Sequence, residues 1–255
     1  MDDEPPLNPV SSYGLRLVMG VIAPATNTTS QPEMEALRPD DVVNAHARIP
    51  NPDRAVFTDA DQRAVRASMV EGLGAALDTL APARPDHVVI AVMVETFVGG
   101  GEPGARLLAD ATARIGCPVT ATSHALLAGL AALSVRRVAV LSPFLPEGHA
   151  AAIRFLEEAG HPVVASHSMK IHGPAAIGRV PPMRIRQALA ALDTKEAEAV
   201  VQVGTNLPFA AVALEVERAL GKPVLASNPV AYWHALRRAG IEDRRSDAGM
   251  LFALA

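Results

Sequence analysis

The sequence predicts an α/β fold of two pseudosymmetric lobes, each a mostly parallel four-stranded sheet flanked by helices. Three observations predict it. From Leu15 onward, short β-branched runs alternate with Ala- and Leu-rich stretches of helical length, the pattern of α/β units. Several of those runs are apolar throughout, as strands covered on both faces must be. The second half of the chain then echoes the first, which at this length implies a duplicated unit.

In chain order, residues 1–13 form a flexible, polar leader. The first lobe, 14–134, holds strands at 15–23 (LRLVMGVIA), 41–46 (DVVNAH), 86–94 (DHVVIAVMV) and 118–122 (PVTAT). The second, 135–255, holds strands at 136–141 (RRVAVL), 162–167 (PVVASH), 198–204 (EAVVQVG) and 222–226 (KPVLA). A helix over 59–80 places Val65, Met69, Leu73, Leu77 and Leu80 on one stripe, and Thr58 with Asp61 forms a capping box at its start. Helices also fit 103–115, 146–159, 181–192, 208–220 and 228–239. The echo pairs VVIAVMVETF (88–97) with VVQVGTNLPF (200–209), and LVMGVIAPATN (17–27) with VAVLSPF (138–144). It also pairs GCPVTATSHALLAGLAAL (116–133) with GKPVLASNPVAYWHALRRAGI (221–241). An active cleft is expected between the lobes, where open parallel sheets present their strand ends to a ligand.

Composition narrows the function. Of 255 residues 49% are hydrophobic, enough for a substantial core, and 23 Lys and Arg against 27 Asp and Glu leave a net charge of −4. No run of five basic residues offers a footprint for nucleic acid or an anionic membrane, so neither is expected as a partner. The single cysteine, Cys117, excludes an intrachain disulfide framework and any site of several thiolates. No apolar stretch has the length of a membrane span and the first residues do not read as a secretion signal, so a cytoplasmic location is expected.

Candidate site residues gather at the predicted strand ends. The turn PATNTTSQPE offers Asn27 and Thr28, and the matching ends carry Glu95 and Thr96, Ser142, and Thr205 and Asn206. Asn27, Thr28, Thr96, Ser142, Thr205 and Asn206 are the expected carboxylate-binding rim. Glu95, the acidic residue directly after a long apolar strand, is the expected proton-transfer group, with His172 second. Neither HxxxH nor HExxH occurs, so no helix-borne metal site is expected, and the phosphate-loop and GxSxG patterns are missing too. Cys117, at the start of a strand, falls at the end opposite this rim.

GVIAPATNTTSQPE, HARI, IAVMVETFVGG, RRVAVLSPFLPEGHAAAIRFLEEAG, VQVGTNLPFAA and GKPVLASNPVAYWHALRRAGI together resemble the maleate isomerase and arylmalonate decarboxylase family of the Asp/Glu racemase superfamily. The resemblance spans 15 to about 241. It implies two pseudosymmetric lobes around a central cleft, no cofactor or metal, and a homodimer or higher homo-oligomer. It also implies thiol chemistry at the third strand of each lobe, but those positions hold Val92 and Gly204 here, and the family tyrosine after the fifth strand is matched by Phe144. The expectation is therefore a cofactor-independent isomerase or lyase acting on a small carboxylate or dicarboxylate through an enolate-like intermediate, without catalytic thiols. The alternative is a small-carboxylate-binding or regulatory protein that has lost catalysis.

Overall fold

The computed structural model describes residues 16–93, 101–192 and 194–254. The leader expected over 1–13, together with Glu95 and Thr96, lies outside the described residues. Two four-stranded sheets run in the orders β2-β1-β3-β4 and β6-β5-β7-β8. The first comprises β1 (Leu17–Pro24), β2 (Val42–Ile49), β3 (His87–Ile90) and β4 (Val119–Ala121). The second comprises β5 (Val138–Ser142), β6 (Val163–Ser168), β7 (Ala199–Gln202) and β8 (Val224–Leu225). All neighbouring strands are parallel.

β3 and β7 end earlier than expected, and for the same reason. Ile90 pairs with Ile22 and Gln202 with Leu141. One further bond follows on each side, Ala91 N–H to Ile22 O at 2.8 Å and Val203 N–H to Leu141 O at 2.9 Å. Val92 and Gly204 then stand at equivalent points just beyond the two ladders. β2 runs three residues further than expected, to Ile49, in register with β1, which ends one residue later than expected at Pro24.

The helices are α1 (Ser30–Glu35), α2 (Asp59–Leu80), α3 (Gly101–Ile115), α4 (Thr122–Ala132) and α5 (Pro146–Glu158). They continue with α6 (Pro174–Ile177), α7 (Pro182–Ala190), α8 (Ala210–Leu220) and α9 (Ser227–Arg238). α2 has the expected bounds and its capping box: Thr58 Oγ1 accepts from Asp61 N at 3.2 Å while Asp61 Oδ2 accepts from Thr58 N at 2.9 Å. The short α1 and α6 leave too little apolar periodicity to read from sequence.

A large apolar core lies between the sheets, joining Met19, Val89, Val140 and Val201 to Leu126 and Leu130 of α4 and to Tyr232 and Leu236 of α9. The outer faces have separate cores, Leu73 and Leu77 of α2 against the first sheet and Ile185 and Val212 against the second. α9, although late in the chain, packs on α4 and on β3 and β4 of the first sheet. Reciprocally, a side chain on Gly129 of α4 would meet Leu225 of β8 at 3.2 Å. Each sheet thus has a topological switch at its central pair, β1 with β3 and β5 with β7, where successive crossovers leave to opposite sides and open a crevice.

Candidate functional site

The two crevices meet in one cavity of about 70 Å³. Its walls come from the residues after each central strand: Pro24, Thr26 and Asn27 after β1, Val92 and Met93 after β3, Pro143 and Phe144 after β5, and Gly204, Thr205 and Asn206 after β7. Met69 of α2 with Pro174 and Ile177 of α6 complete it. Among the described residues no titratable side chain lines it.

The predicted rim residues Asn27, Thr28, Thr205 and Asn206 are brought together here, and they are bonded largely to one another. Asn27 Oδ1 accepts from Thr29 N and Ser30 N, both at 2.9 Å, which caps α1. Asn27 Nδ2 donates to Thr205 Oγ1 at 3.2 Å, and that hydroxyl donates to Ala91 O at 2.8 Å. Asn206 Oδ1 accepts from Thr28 N at 2.9 Å, while its Nδ2 donates to Thr26 O at 3.2 Å and Pro174 O at 2.8 Å. Three of the four side-chain bonding positions of Asn206 are thus used in locking the neighbouring segments together. Among the lining groups, the main-chain N–H groups of Thr205 and Asn206 sit side by side in one turn and have no hydrogen-bond partner among the described residues. Paired main-chain N–H groups in a turn form an oxyanion-binding arrangement that needs no reorganisation.

Supporting residues fix that turn. The Arg48 guanidinium donates to Asn27 O at 2.8 Å and Gln31 Oε1 at 2.6 Å. Gly204 N donates to Ser227 Oγ at 3.1 Å, and Gly204 O accepts from Gln202 Nε2 at 2.7 Å. Gly204 adopts φ +118, and a Cβ built there would lie 2.8 Å from Pro143 Cδ and 3.3 Å from Phe144 Cζ. The site expected to hold the second thiol is therefore filled by its neighbours. Val92, equivalent in the first sheet, is buried against the cavity.

Two expected site residues stand elsewhere. Ser142 is fully buried and does not line the cavity; its hydroxyl pairs with His149 Nδ1 at 2.8 Å. His172 is exposed, donates through Nδ1 to Val56 O at 2.7 Å, and stacks on Phe57 at 5.3 Å. Glu95 and Thr96 lie outside the described residues. Cys117 is half-buried just before β4, at the opposite end of the sheet, and burial raises its thiol pKa. His46, within β2 and three residues before its end at Ile49, bonds Glu35 at 2.9 Å.

Sequence reasoning missed Glu33. From α1 it reaches across to the start of α8, where Oε1 accepts from Phe209 N and Ala210 N, both at 2.9 Å. Its Oε2 accepts at 2.7 Å from Asn228 Nδ2, which also donates to Thr205 O at 2.8 Å. Burial outweighs those three bonds and pushes the carboxyl up from 4.5 to about 7. The folded chain thus holds this proton more tightly than the unfolded one. The associated stability is fully present below pH 4.5 and is lost as pH rises through about 7, on the order of 3 kcal/mol. Urea denaturation is expected to show wild type weakening from pH 5 to 8 and Glu33→Gln with a flatter profile. An equally steep profile in the variant would place the titration on another group.

Comparison with known proteins agrees with this architecture. A family model described as arylmalonate decarboxylase matches residues 63–252. A maleate isomerase of Geobacillus stearothermophilus is 26% identical over 248 residues, covering 92% of this chain and 96% of its own. An arylmalonate decarboxylase of Bordetella bronchiseptica is 33% identical over 150 residues, covering 57% of this chain and 61% of its own. Among solved structures, a mutant Nocardia farcinica maleate cis-trans isomerase with a covalently bound succinylcysteine intermediate superposes with a TM-score of 0.85 at 22% identity, covering 93% of this chain and 98% of that one.

Proposed function

Because the chain belongs to the arylmalonate decarboxylase family, which its matched residues 63–252 establish, we propose that it is a cofactor-independent isomerase or lyase that passes a small carboxylate through an enolate-like intermediate without a catalytic thiol. The observation that carries this is the cavity where both switch points converge, lined at the two thiol positions by Val92 and Gly204 and offering the free N–H groups of Thr205 and Asn206.

The substrate carboxylate accepts from those two N–H groups, oriented by Asn27 and by Asn206, whose side chain locks the turn. When a proton or a second carboxyl group leaves the adjacent carbon, the electron pair it leaves behind delocalises onto the bound carboxylate oxygens. The two donors meet that growing charge in place. Val92, Met93, Met69 and Phe144 surround the reacting carbon with apolar surface, so water does not screen the interaction. Glu95, two residues beyond Met93, moves the proton to or from that carbon. Thr28 and Thr96 support the carboxylate rim. The protein works in the cytoplasm as a homodimer or higher homo-oligomer.

The intermediate itself gives the test. Incubation with α-substituted malonates, maleate and simple α-branched carboxylates in D₂O is expected to place deuterium on the carbon beside the carboxylate, read by NMR, in at least one of them. Carboxylates that bind yet never exchange or convert would overturn the enolate route.

A further inference from the structure

The cavity at the strand ends does not stop at Phe144. A second one, of about 90 Å³, adjoins it and shares Met69, Phe144, Pro174 and Ile177 as common walls. Its outer part is built on one face of α2, where Gln62, Val65 and Arg66 precede Met69 at helical spacing. Met69 and Gln62 are separated by about 10 Å along the helix axis.

Three features of the outer chamber point to a ligand group there. Among the described residues that line the two chambers Arg66 is the one charged side chain, and among the described residues it has no ion-pair or hydrogen-bond partner. It is partly buried, in the wall of a cavity and not on a freely solvated face. Gln62 Oε1 is buried with no hydrogen-bond partner, an unmet acceptor that calls for a donor and so marks a polar neighbour without itself binding an anion. Such groups cost stability unless something satisfies them. The passage between the chambers is apolar, formed by Met69, Phe144 and Ile177.

We propose that the substrate is an elongated anion spanning both chambers: the reacting carboxylate at Thr205 and Asn206, an apolar body between Met69, Phe144 and Ile177, and a second anionic group held by Arg66. Arg66 stands about 4.5 Å along the helix axis from Met69, in the chamber beyond the one that holds Thr205 and Asn206, so the two anionic groups are separated by several methylenes, as in an α,ω-dicarboxylate such as octanedioate. This rests on the carboxylate-binding reading of the inner chamber given above.

Titration calorimetry of the full chain with octanedioate, octanoate and succinate tests it, using wild type and Arg66→Met. Octanedioate is expected to bind wild type about 10-fold or more tighter than either octanoate or succinate, the range of a charge-assisted contact. In Arg66→Met that advantage over octanoate is expected to disappear while octanoate affinity stays within about 2-fold, because the inner chamber is untouched. Octanoate binding wild type as tightly as octanedioate, succinate matching octanedioate, or the preference surviving in Arg66→Met would each overturn the elongated substrate and leave the inner-chamber reading standing. No binding by any of the three acids would overturn both. The wild-type comparison holds whether or not the variant folds.

Discussion

Glu95→Gln is expected to lower turnover by about 100-fold or more, the usual worth of a positioned acid or base. Glutamine keeps the size and polarity of the side chain but can neither take nor deliver the proton. Substrate affinity should change little, since in the proposed arrangement the carboxylate is held by the main-chain N–H groups of Thr205 and Asn206 and not by position 95. The loss should therefore fall on kcat with KM nearly unchanged, and deuterium exchange at the carbon beside the carboxylate should fall with it. Among the described residues no other titratable side chain lines the cavity to take over. Turnover within a few-fold of wild type would remove Glu95 from the mechanism.

The second large effect is on stability. Gly204→Cys restores the residue type expected at the second thiol position, yet it should unfold the chain more readily and gain no chemistry. The backbone there has φ +118, which side chains other than glycine rarely tolerate, and the new Cβ would meet Pro143 Cδ at 2.8 Å. Strain and overpacking together cost about 2–6 kcal/mol, a fall in Tm of roughly 10 °C in a chain of this size. Val92→Cys is the matched control. A Cβ is already accommodated at Val92, so the swap is expected to cost below about 1.5 kcal/mol. Thermal denaturation of the two variants side by side decides it, and a Gly204→Cys variant melting within about 2 °C of wild type would refute the steric account.

Local signals were legible in the sequence and long-range ones were not. The Thr58–Asp61 box and the α2 stripe depend on residues three and four apart, and both stand as expected. The alternation of strands and helices identified two parallel sheets, and the echo between halves placed Val92 and Gly204 at matching points. What the pattern could not reveal was that Asn27 and Asn206 would be occupied by bonds across 178 to 180 positions of sequence. A polar residue at a strand end looks the same in sequence whether it awaits a ligand or locks a neighbouring turn. Glu33 was lost for a related reason: in SQPEME it resembles an ordinary first-turn acid, and only the fold brings the start of α8 against it. The Ser142–His149 pair lay within reach, since Pro146 opens a helix and puts His149 one turn into it.

The exchange of helices between the two halves bears on how the chain is made. α9 packs on β3 and β4, yet it is synthesised about a hundred residues after them. While the ribosome is still translating the second half, the inner face of the first sheet, with Met19 and Val89, and Leu126 of α4 beside it have no cover from α9. Exposed apolar surface and unfinished long-range packing are the conditions under which nascent chains stick to one another or require a holding chaperone. The contact that joins the halves around the cavity thus makes the last helix to emerge the one that completes the first half, and cell yield should depend on how quickly α9 arrives.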